Sequence, residues 1–96
     1  MNYKIQVLPE ATEEVGAIFS YYESEKSGLG HRFQQALDKC YQGLALNPSG
    51  QKRKGDFCHA MVHKFPYRIV YEVRGKIVVI YQVRHTSRKP SKKFGP

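Results

Sequence analysis

An α+β fold, with elements in the order β-α-α-β-β-β and a two-helix hairpin packed on one face of a small antiparallel sheet, is predicted by three features of this sequence. A short alternating run opens the chain, two stretches with apolar residues at helical spacing follow, and three β-rich runs separated by turn residues fill the second half. Tyr3-Lys4-Ile5-Gln6-Val7 alternates apolar and polar residues among β-formers and reads as a strand ended by Leu8-Pro9. Pro9 opens a helix in which Ala11, Val15, Ile18, Phe19 and Tyr22 make one apolar stripe. Glu10, Glu13 and Glu14 suit its positive N-terminal end. Ser24 to Gly30 holds two glycines and breaks the pattern. A second stripe runs from Phe33 through Ala36, Leu37, Cys40, Tyr41 and Leu44 until Asn47-Pro48 stops it. Each helix has one apolar face, so the pair folds into a hairpin that must lie on something equally apolar.

The polar, basic segment 48–56 reads as a loop, followed by strands over Phe57 to Lys64, Tyr67 to Val73 and Lys76 to Arg84. Phe65-Pro66 separates the first two strands, and Arg74-Gly75 reads as a tight hairpin turn. A two-residue turn there collects Ile69, Tyr71, Val73, Val78 and Ile80 on one face, the bed for the helices. Arg68, Val70, Tyr81, Val83 and His85 fall on the other, open face, a parity that any bulge would reverse.

A chain of 96 residues and 11.1 kDa suits one domain spanning 1–96. With 41% hydrophobic residues it is an ordinary globular chain and not a disordered tail. No run approaches the roughly 18 apolar residues of a membrane span, and the N-terminus lacks a signal-peptide core, so a cytoplasmic protein without a membrane partner is expected. Cys40 and Cys58 are too few for a disulfide framework and are expected to be reduced. The formal charge of +8 is unevenly spread: Lys4, Lys26, Arg32 and Lys39 are the only basic residues before position 51, where acids outnumber them. The remainder holds only Asp56 and Glu72 as acids, and so carries the whole positive excess. One-sided charge of this kind gathers polyanions. The tail after Thr86, rich in Lys and Arg among Ser, Gly and Pro, is expected to be partly mobile.

The residues also carry a family resemblance. Val7-Leu8-Pro9-Glu10-Ala11, the aromatic Phe19-Ser20-Tyr21-Tyr22, Gly28 to Phe33 with Leu46-Asn47-Pro48, and Lys64 to Val73 occur in the order found in the RelE/ParE superfamily of bacterial toxins. Val83-Arg84-His85-Thr86-Ser87-Arg88-Lys89-Pro90 matches the Val-x-His-x-x-Arg-x-Pro pattern of its ParE-like side. The resemblance spans residues 3–90. It implies the toxin of a type II toxin–antitoxin (plasmid stabilisation, growth arrest) module, with a cognate antitoxin protein as partner and no cofactor. ParE-like members inhibit DNA gyrase; RelE-like members cut mRNA on the ribosome without a metal. RelE-like members usually place an Arg soon after the last strand and a Tyr near the C-terminus, where this chain has Thr86 and only Phe94. The resemblance therefore leans to gyrase inhibition. The alternatives are a ribosome-dependent mRNA endonuclease and a non-toxic, basic nucleic-acid-binding module.

Metal-free RNA cleavage needs cations on the phosphorane, a base for the attacking 2′-hydroxyl and an acid for the leaving oxygen. Arg68 suits the first role, because a guanidinium grips two phosphate oxygens and keeps its charge. His85 suits acid–base work at neutral pH, and Arg88 could add a second cation. These three form the candidate catalytic set if the chain is an mRNA nuclease. Lys52, Arg53, Lys54, Lys64, Tyr81, Arg84 and Lys89 are the candidate target contacts. Cys58, His59 and His63 do not make a zinc site, because in a strand His59 and His63 stand about 13 Å apart with Cys58 on the opposite face.

Overall fold

The computed structural model describes residues 2–48, 51–54 and 57–86, with side chains at all of these except 51–54. β1 (Lys4–Val7) leads into α1 (Pro9–Glu25) and α2 (Leu29–Leu46), followed by β2 (Gln51–Lys54), β3 (Phe57–Met61), β4 (Tyr67–Arg74) and β5 (Ile77–His85). The strands form one sheet in the order β1-β5-β4-β3-β2. The expected α+β layering holds, with two refinements. β1 joins β5 in parallel, Ile5 opposite Val78 and Val7 opposite Ile80, because the helical hairpin carries the chain across the sheet before β5 returns alongside. The segment after Pro48, expected as loop, contains β2, which pairs antiparallel with β3. An edge strand of Gln, Lys and Arg has no apolar period by which to recognise it.

The helices interlock at their junction. Only residues 26–28 separate them, and α2 starts at Leu29, one turn earlier than its apolar stripe suggests. The cause is Glu23 of α1, whose carboxylate accepts the N–H of Gly30 at 2.8 Å, of Gly28 at 3.3 Å and of His31 at 3.4 Å. A helix start leaves N–H groups without intrahelical partners, and one side chain from the neighbouring helix supplies them here. The Gly28 N–H, with those of Gly30 and His31, holds the Glu23 carboxyl below its ordinary range, against the opposing effect of burial. Gly30 lies inside α2 for a steric reason: a Cβ there would sit 2.7 Å from the Phe19 carbonyl oxygen and 2.7 Å from Glu23 Cγ.

Ala11 and Ile18 of α1 and Phe33, Leu37 and Leu44 of α2 are buried against Ile69 and Tyr71 of β4 and Val78, Ile80 and Val83 of β5. At one end Tyr22, Phe33, Phe65 and Tyr67 form an aromatic cluster with ring centroids 5.3–6.2 Å apart. Phe65 reaches it from the β3–β4 turn, in which Val62 donates its N–H to the Tyr67 carbonyl at 2.9 Å and Lys64 adopts φ 67°. β3 therefore ends at Met61, short of Lys64.

The β4–β5 hairpin carries the main correction. Its turn is Gly75-Lys76, with Arg74 opposite Ile77, and Gly75 at φ 58° supplies the positive φ that tight hairpin turns require. Near the turn Tyr71 faces Ile80 and Val73 faces Val78, so the five residues expected on the helix side are there. The register then shifts between Val70 and Tyr71: Val70 faces Gln82, which leaves Tyr81 as an extra residue in β5. Beyond this bulge the parity of β5 reverses. Val83 and His85, expected on the open face, lie opposite Ile69 and Tyr67 on the helix side, and Val83 joins the core.

Candidate functional site

Antiparallel partners share a face, so the register arranges the side of the sheet away from the helices, on which Val70, expected to be open, is buried together with Val79 and Gln82. Met61, Arg68 and Arg84 form one row across β3, β4 and β5, with both arginines half-buried among their neighbours. The next open-face carboxylate along β4 is Glu72, and it is already engaged. Its Oε1 accepts the Tyr81 hydroxyl at 2.9 Å and Arg74 Nε at 2.7 Å. Among the described residues, Arg68 has no hydrogen-bond or ion-pair partner. Arg68 is half-buried, whereas the Tyr81 phenol donates to Glu72 and packs edge-on against Phe57 at 5.0 Å. Burial, then the bond to Glu72, push the Tyr81 hydroxyl above its ordinary pKa, so it is a poor general base.

His85 sits on the other side. Its ring meets Tyr67 edge-on at 5.1 Å, and it lines a groove of about 580 Å³ with Ile18, Tyr21 and Tyr22 of α1. Above this groove α1 seals the β5 edge that β1 is too short to cover. Glu14 accepts the Val83 N–H at 2.9 Å, and Glu10 accepts Gln82 Nε2 at 3.3 Å. The sheet therefore separates the two described members of the candidate catalytic set: Arg68 emerges on the open face and His85 under α1. The guanidinium suited to phosphate charge and the imidazole suited to proton transfer are thus on different faces of the sheet.

Lys64, a candidate target contact, belongs to the β3–β4 turn. With Arg32 and Lys39 it lines a groove of about 590 Å³ between α2 and the β3–β4 turn. Arg32 and Lys39 were missed in the sequence because the charge tally treats the first half as acidic. Their spacing of seven, which puts both on one flank of a helix, was the available signal. Arg88, Lys89 and the basic tail lie outside the described residues, as do the side chains of Lys52, Arg53 and Lys54. Among the described residues no group of three His, Cys, Asp or Glu side chains converges to hold a metal ion, and no helix is long and apolar enough to cross a membrane. Cys40 and Cys58 are free thiols.

Comparison with known proteins places this geometry in a family. A search of curated proteins matches none. Among solved structures, a chain of the chromosomal ParDE TA system from P. aeruginosa superposes with a TM-score of 0.79 over 88% of this chain and 97% of that one, at 13% sequence identity, a likeness of fold. The sequence profile described as ParE toxin of type II toxin-antitoxin system, parDE, matches residues 5–90, from the second residue of β1 to beyond β5. With nearly the whole chain matched, and the fold matched independently, this protein belongs to the ParE toxin family of type II toxin–antitoxin systems.

Proposed function

We propose that this toxin arrests growth by binding and inhibiting DNA gyrase, and not by cutting mRNA. The observation that carries the reading is the placement of Arg68 and His85 on opposite faces of the sheet. Nuclease chemistry needs charge stabilisation and proton transfer at one phosphate, whereas an inhibitor needs only an adhesive surface. In this reading Arg68 and Arg84 are target contacts on the open face. Lys52, Arg53, Lys54, Lys64 and Lys89 add charge that speeds encounter with an acidic or DNA-bound target. A co-encoded antitoxin is the second partner, in keeping with the ParDE system to which the structural neighbour belongs.

Purified toxin added to gyrase and relaxed plasmid is expected to abolish supercoiling and trap cleaved DNA. The Arg68→Glu/Arg84→Glu variant is expected to need about tenfold more toxin for half-inhibition, the size of effect expected when like charges are set against a complementary surface. His85→Ala should inhibit almost as well as the parent. Cleavage of ribosome-bound mRNA that disappears in Arg68→Ala or His85→Ala, with gyrase unaffected, would reverse the assignment.

A further inference from the structure

The reading above uses only the long-range charge of Lys64 and not the groove between α2 and the β3–β4 turn that it lines, whose chemistry is specific. Arg32 and Lys39 project from one flank of α2, about 10.5 Å apart along its axis, and Lys64 faces them from the turn. Leu29 and Phe65 supply apolar surface between them. No acidic residue lines the groove. Among the described residues, Arg32, Lys39 and Lys64 have no ion-pair partner. The neighbouring acids are committed elsewhere: Glu23 to the N-terminus of α2, and Asp38, in the adjoining depression, to Gln34 at 3.1 Å.

A second observation is the backbone of Lys64. Its left-handed conformation brings Phe65 into the aromatic cluster, a task for which glycine or asparagine is better suited. The turn geometry explains the φ angle but not the lysine. The strained position therefore places a third cationic residue on the lining of the groove.

We propose that this groove binds a phosphodiester backbone, with Arg32, Lys39 and Lys64 as its phosphate contacts and Leu29 and Phe65 against the sugar. The wall of the groove decides between a nucleic acid and an acidic peptide. One side is a helix whose backbone groups are satisfied internally, so the groove offers no strand edge to an extended peptide, and an acidic peptide would have to enter as a helix carrying carboxylates matched to all three cations. A phosphodiester backbone has only anionic acceptors to satisfy, and the three cationic side chains supply the donors. The proposal does not rest on the gyrase reading, and its test contains no gyrase.

The full chain is titrated into short fluorescein-labelled duplex DNA and, separately, single-stranded RNA, between about 50 and 200 mM salt. Removing two phosphate contacts with Arg32→Ala/Lys39→Ala is expected to make the slope of log affinity against log salt shallower by about 1.8 on duplex. The charge-matched Lys4→Ala/Lys76→Ala, on the β1–β5 side, should change it far less. Lys64→Asn should lower the slope by about one while keeping or raising the Tm, a combination that general destabilisation does not produce. Tighter binding of either probe supports the site and identifies its source of phosphate. Equal slopes for the two double variants, an unchanged slope in Lys64→Asn, or preferential occupation by polyglutamate would overturn the proposal.

Discussion

Glu72 organises the open face through a single oxygen. Its side chain is only 12% exposed, and Oε1 receives both the Tyr81 phenol and the Arg74 guanidinium. This sharing leaves Arg68, four residues earlier, without an acidic partner on its own strand. Truncation to Tyr81→Phe removes the donor and is expected to cost about 1 kcal/mol in urea unfolding, the usual net value of one such bond. The change also has a pH signature. Because the Tyr81 pKa is raised in the fold, the stability it contributes is fully present below the unfolded value near 10 and is lost as pH rises through the folded value. Tyr81→Phe should therefore narrow its deficit against the parent as pH increases past about 10, whereas a purely steric effect would leave the difference constant.

Among elements, the helix hairpin and the β4–β5 hairpin show opposite degrees of legibility. Both helices were visible in their apolar stripes, and Pro9 and Asn47-Pro48 marked their ends. The start of α2 was not visible, because it depends on the Glu23 carboxylate seven residues away on another helix, and Gly30 reads as a breaker unless the approach of Phe19 is known. That approach makes Gly30→Ala a sharp test. The new methyl meets a backbone carbonyl that cannot swing aside, so a loss of about 1–3 kcal/mol is expected. The same change at Gly43, where a Cβ meets nothing within 4 Å, should raise the thermal midpoint. In the β hairpin, the turn glycine and both strands were legible, but the extra residue at Tyr81 was not. A bulge leaves no mark in an alternating run, since shifting one residue merely exchanges which alternate set is read as inward. That one residue moved His85 from the side of Arg68 to the side of α1.

At the scale of the whole molecule, two layers meet over one core, and Phe33 is their common point: it is fully buried and touches Tyr22, Phe65 and Tyr67 from three other elements. Phe33→Ala is expected to cost about 3–5 kcal/mol, seen as a lower urea midpoint at unchanged m-value. For a domain of this size that is a large share of the total stability. The same two layers divide the cations, with Arg68 and Arg84 on the open sheet face and Lys64 turned to meet Arg32 and Lys39 of α2. The amino-acid order alone determined the elements, their α+β layering and the excess of positive charge in the second half, because periodicity and composition are local properties. Which cations stand together, and whether an acid–base residue shares a face with Arg68, was decided only by folding. Both depend on a one-residue register shift and on contacts between segments distant in sequence, and neither leaves a periodic trace along the chain.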